Sequence, residues 1–76
     1  MLRRQVVSSN IHSIGYDPKT RIAHVAFHKD GDVTDVHEYH DVDEADHRAL
    51  VNADSIGRHF HGVFKKKYAS AGKVNP

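Results

Sequence analysis

The residues best placed to do chemistry are a run of cations, Arg58, Lys65, Lys66 and Lys67, with Tyr68 directly after them. Ammonium and guanidinium groups neutralise phosphates, and aromatic rings stack on bases. A cluster of both kinds is what a single-stranded nucleic acid needs. Tyr68, His59 or His61 would supply the rings, Tyr39 would support them from a strand, and Lys73, Arg3 and Arg4 could extend the basic surface. The same three lysines have two other uses. A helix dipole favours cations at its C-terminus, so they can be a solvated helix end, or they can dock an acidic protein.

A second cluster is acidic. Residues 30–54 carry nine acids against one base, Arg48, whereas residues 1–29 carry five bases against Asp17 alone and residues 55–76 carry five bases and no acid. The net charge of +1 therefore hides a strong segregation. Either the blocks neutralise one another in the fold or each faces a partner of opposite sign. In the second case Asp30, Asp32, Asp35 and Glu38 form a protein-docking surface.

Eight histidines raise the question of a metal. His37 and His40 are three apart on a strand and face opposite sides, and His59 and His61 are about 200° apart on a helix. Neither pair has the i, i+4 spacing that chelates, HExxH is absent, and no metal site or cofactor is expected. Their protonation between about pH 7 and 5 would add positive charge and tighten binding to an acidic ligand. Ser8, Ser9, Ser13 and Ser55 lie outside any nucleophile elbow, so no catalytic site is read.

These residues must be positioned by a small fold. Seventy-six residues make one domain, which buries only about 60% of its unfolded surface. There are no cysteines, which fits a reducing, cytoplasmic setting. The start, MLRRQVVSSN, lacks the apolar run of a signal peptide, and no segment approaches the roughly 20 apolar residues of a membrane span.

Residues 1–8 read as a polar leader. Strands are expected at Asn10–Tyr16, Arg21–His28 and Val33–His40. The second alternates cleanly, with Ala23, Val25 and Phe27 on one face. Asp17-Pro18-Lys19-Thr20 reads as a turn and Lys29-Asp30-Gly31-Asp32 as a hairpin loop. A first helix is expected from Glu44 to Ala53, burying Ala45, Ala49, Leu50 and Ala53. A second begins at Asp54-Ser55 and buries Phe60, Val63, Phe64 and Tyr68 at i, i+3, i+4 and i+8. Gly57 would let that helix approach the sheet closely. The expectation is an α+β domain: a three-stranded antiparallel meander followed by two helices packed on one face, with an ordered core over 7–68 and a frayed tail over 69–76. The two sheet edges leave a monomer or a weak dimer open.

Several short motifs occur in order along this frame: Ser8-Ser9 with Ile11, Ile14-Gly15-Tyr16-Asp17, Val25-x-Phe27, Asp41-Val42, and Ala53-Asp54-Ser55-x-Gly57-x-x-Phe60 with Tyr68 closing. In this the chain resembles the KTSC domain, found at the C-terminus of some lysyl-tRNA synthetases and as a stand-alone bacterial or phage protein. The resemblance covers about Val7 to Tyr68. It departs at His37, where a Tyr-x-Tyr pair keeps only Tyr39, at Asp43 in place of Pro, at His59 in place of an aromatic, and at His61 in place of Asn. It implies a role in RNA binding and brings no catalytic activity. Two functions are thus expected as alternatives. One is a non-enzymatic module binding RNA or single-stranded nucleic acid through Arg58, Lys65, Lys66, Lys67, Tyr68 and Tyr39. The other is a protein-interaction module, of phage or mobile-element origin, that modulates a host complex through its acidic 30–46 region.

Overall fold

In the computed structural model, which describes residues 1–75, the alternating segments pair as the sequence requires, and two short strands join them. The strands are β1 (Arg3–Gln5), β2 (Ile11–Asp17), β3 (Ile22–Lys29), β4 (Asp32–Tyr39) and β5 (Gly72–Val74). They form one antiparallel sheet in the order β1-β2-β3-β4-β5. The expected three-stranded meander is therefore the centre of a five-stranded sheet. The polar leader contains β1, and the expected frayed tail contains β5, tied down where the Ala71 amide donates to the Glu38 carbonyl (2.7 Å). The last residue of that tail, Pro76, lies outside the described residues. Three-residue strands show no period of their own, so only pairing reveals them. Gly15 is needed for the first of these pairings, because a Cβ there would lie 2.8 Å from the Leu2 carbonyl oxygen.

The turns follow their residues. Asp17 Oδ1 accepts from the Lys19 amide (2.9 Å) and the Asp17 carbonyl from the Arg21 amide (2.7 Å), closing the β2–β3 turn. Two positions, Asp30 and Gly31, take positive φ in the β3–β4 hairpin.

Helix α1 (Glu44–Val51) starts at Asp43, whose side chain makes no capping bond because Arg21 and Lys67 take its carboxylate. Ala45 and Ala49, expected to be buried, are exposed. The inward face is His47, Leu50 and Val51, at i, i+3 and i+4. The second helix runs without a break over 56–67 as α2 (Ile56–His59), a π-helical segment (Phe60–Phe64) and α3 (Lys65–Lys67). Ser55 caps it, accepting from the Arg58 amide (3.4 Å). The wide π turn rotates each residue less than an α turn does, which keeps Phe60 and Phe64 on the core face but carries Val63 out of it. Val63 is 55% exposed, contrary to expectation.

Both helices cover one face of the sheet. Ile11, Ile14, Ala23, Val25 and Tyr39 pack from below against Val42, Leu50, Phe60, Phe64 and Tyr68. Full burial of a side chain such as Phe60 or Leu50 contributes about 1.5–3 kcal/mol. The uncovered face carries Arg3, whose Nε donates to Ser13 Oγ (3.1 Å), and a row in which His24 and His40 both bond Glu38 (2.9 and 2.7 Å). Among the described residues no helix is long and apolar enough to cross a membrane.

Candidate nucleic-acid interface

The five bases that follow residue 54 fall into two groups. Lys67 sits 2.8 Å from Asp46 and 3.8 Å from Asp43, and Lys73 sits 3.3 Å from Asp35. By contrast, Arg58, Lys65 and Lys66 are exposed and form no ion pair among the described residues. His61 lies between them, bordering one depression with Arg58 and another with Lys65, and Lys66 follows on the exposed last turn of the second helix. Two of the three expected lysines thus point outward with uncompensated charge, and one is a structural cation.

Lys67 is held in a small network that also explains Tyr68. The Tyr68 hydroxyl donates to Asp46 Oδ2 (2.5 Å) and accepts from the Asp43 amide (3.0 Å). The hydrogen bond from Lys67, and then that from Tyr68, holds the Asp46 carboxyl below its usual range, while the same Asp46 contact raises the Lys67 ammonium above its own. Burial, aided by Asp46, pushes the Tyr68 phenol up. With its ring 9% exposed, Tyr68 is a clamp between the second helix and the start of α1. Tyr39 is 4% exposed, and burial pushes its phenol up as well. Both rings belong to the core cluster, so neither lies on the exposed basic side of the second helix.

The acidic block is largely engaged by the protein itself. Asp35 pairs with Lys73, Asp43 with Arg21 and Lys67, Glu44 with Arg48 (3.6 Å), and Asp46 with Lys67. Glu38, bonded first by His40 and then by His24, has its carboxyl held below the usual range. Of the four acids expected to dock a protein, only Asp30 and Asp32 stand exposed at the β3–β4 hairpin without an ion pair among the described residues. Among the described residues no three His, Cys, Asp or Glu side chains are placed to hold a metal ion.

The rings that do reach solvent lie elsewhere. Between the second helix, β4 and the segment after Tyr68 runs a groove of ≈ 520 Å³. Tyr39, Phe60 and Tyr68 form its floor, Phe27 and His37 one wall, and His61 and Lys65 the opposite lip. Phe27 stands edge-on to both His37 (centroids 5.7 Å apart) and Phe60 (5.4 Å), and His37 Nδ1 is hydrogen-bonded to Ser70 Oγ (2.8 Å). His61 also borders a second depression, formed by the 7–10 loop and the start of the second helix with Arg58. There the Asn10 amide nitrogen donates to His61 Nε2 (3.2 Å), and Ser8 Oγ donates to Asn10 Oδ1 (3.1 Å). A Cβ on Gly57 would lie 3.0 Å from Asn10 Oδ1, so glycine lets the helix start rest on this loop. The serine and glycine motifs that are far apart in sequence therefore meet here. Phe27 and His37 read in sequence as one core residue and one stray histidine. Only the pairing of β3 with β4 brings them together, at a site distant from Lys65's helix in chain order but adjacent in space.

With this geometry in place, comparison with known proteins fixes the family. The KTSC domain family model matches residues 7–68. The chain belongs to the KTSC domain family. The crystal structure of a KTSC domain protein from Yersinia pestis is 38% identical and superimposes with a TM-score of 0.83, over 97% of each chain. An uncharacterized protein of Stutzerimonas stutzeri (strain A1501) is 38% identical over 68 residues, 90% of each sequence. Within the KTSC match fall the Ser8–Asn10 loop, the Gly57 contact, the aromatic core and the basic side of the second helix.

Proposed function

We propose that this KTSC chain is a small binding module for RNA or single-stranded nucleic acid, which it engages along the outer side of its second helix. The observation that carries this reading is the division among its cations. Lys67 and Lys73 are consumed by the acids of the fold, while Arg58, Lys65 and Lys66 on one exposed strip are left without a partner among the described residues. An uncompensated cationic strip attracts a polyanion and releases its counterions. The engagement of Asp35 and Glu38 within the fold weighs against the acidic region as a docking surface.

The test is charge reversal confined to the strip. The R58E/K65E/K66E variant should keep its circular dichroism spectrum and lose binding to a mixed-sequence 12-nucleotide RNA. Neutralising Asp30 and Asp32 should leave that binding intact or tighten it. Retained affinity in the triple variant would contradict the proposal.

A further inference from the structure

We infer that the groove between the second helix and β4 is a pocket for one unstacked nucleobase, entered from a strand whose phosphates follow the basic strip. The inference rests on the nucleic-acid reading and adds to it a site outside that strip. Three features of the groove agree on this occupant. Its accessible walls are rings: Phe27 and His37 are half-buried on one side and His61 is exposed on the other, over a floor closed by the buried Phe60. Aromatic rings suit a flat ligand, because stacking and edge contacts need no particular hydrogen-bond pattern.

The second feature is charge. Lys65, without an ion pair among the described residues, stands at the lip, and the one carboxylate in the lining, Asp35, is balanced by Lys73 at 3.3 Å. The groove therefore combines an apolar slot with a cation at its entrance, the complement of a base joined to its phosphate. The third is access. The slot lies between a helix and a sheet, so a base must leave its stack to enter, and a duplex, whose base faces are covered, cannot use it. His37 is held in place by Ser70, and Asn10 holds His61. The walls are thus fixed before any ligand arrives, which lowers the cost of binding.

The experiment measures fluorescence anisotropy with four labelled probes: a mixed-sequence 12-nucleotide RNA, the DNA of the same sequence, the corresponding RNA duplex, and a 12-unit abasic strand that keeps the phosphates and lacks the bases. An acidic peptide containing tyrosine serves as a competitor. The pocket predicts that the RNA or the single-stranded DNA binds about ten-fold tighter than the duplex and the abasic strand. Ala69→Trp, at an exposed position on the groove wall, should abolish that difference without changing affinity for the abasic strand. His37→Ala, which removes a wall without filling the groove, should reduce it. Melting curves establish that both variants fold. A ranking of RNA against DNA shows whether the 2′-hydroxyl is also read.

Equal binding of base-bearing and abasic strands, unaffected by either variant but lost in R58E/K65E/K66E, would overturn the pocket and leave the basic strip standing. Binding of no nucleic acid at all would overturn the strip, and the pocket with it. Displacement of the RNA by the peptide at lower concentration than by unlabelled RNA would assign the groove to a protein ligand and overturn the inference.

Discussion

Tyr68 shows how one side chain can be misplaced by type and explained by geometry. Its position after three lysines suits stacking on a base, yet its ring is buried and its hydroxyl joins the Asp43 amide to the Asp46 carboxylate. Tyr68→Phe removes both bonds and keeps the ring. The expected cost is about 1 kcal/mol, a fall in melting temperature of about 4–8 °C, with no change in nucleic-acid affinity; a loss of affinity at unchanged stability would mean that the hydroxyl contacts the ligand. Lys67 follows the same logic. Reversing its charge would set it against Asp43 and Asp46, so a Lys65-Lys66-Lys67 triple reversal confounds stability with binding, and a clean test leaves Lys67 alone. His47 carries the clearest pH signature. It lies stacked on Tyr16 with centroids 4.6 Å apart, and burial first, then Arg4 and Arg48, lowers its pKa, with Glu44 opposing. A histidine held more neutral in the fold than in the unfolded chain contributes stability in full above its ordinary pKa of about 6.5, and that contribution is lost as pH falls from there through the lower pKa of the folded state. The protein should therefore lose more stability between pH 7.5 and 5.5 than His47→Gln does, as read by urea midpoints; equal losses would contradict the account.

At the scale of elements, the second helix separates what a sequence carries from what it does not. Its start was legible in Ser55 and its core face in Phe60, Phe64 and Tyr68, because capping and aromatic spacing are local. The π turn was not. No residue type marks it, and it turns Val63 outward while keeping Phe60 and Phe64 in contact at 5.7 Å. This gives a direct contrast. Val63→Ala should change stability by less than about 0.5 kcal/mol, whereas Phe64→Ala should cost about 3–5 kcal/mol, measured by chemical denaturation. A costly Val63→Ala would mean that an uninterrupted α-helix, with Val63 inside, is the true state. Strands β2, β3 and β4 were legible from alternation and turn residues to within a residue at each end. The edge strands β1 and β5 were not, because three residues carry no period and their existence depends on partners: β1 on the bare Gly15, β5 on β4. Helix α1 starts where expected and buries Leu50 as expected, but Ala45 and Ala49 face solvent, since small residues do not reveal which side of a weakly apolar helix is buried.

The whole molecule resolves the charge segregation seen along the chain. The central acids fold back onto bases from both flanks, Arg21 from one side and Lys67 and Lys73 from the other, so much of the separation is internal neutralisation. Among the cations left without an ion pair in the described residues are Arg58, Lys65 and Lys66 of the second helix, next to the groove walled by Phe27, His37 and His61. Sequence pointed to the strip because its residues are neighbours on one helix. It could not point to the groove, whose walls come from β3, β4 and the second helix and meet only through the sheet. The central claim is that these three cations contact phosphates, and salt dependence tests it most directly. With three contacts on a single strand, the logarithm of the affinity for the 12-nucleotide RNA should fall linearly with the logarithm of salt concentration, with a slope of about −2. The slope should approach zero in R58E/K65E/K66E. An affinity independent of salt in the unaltered protein would contradict the account.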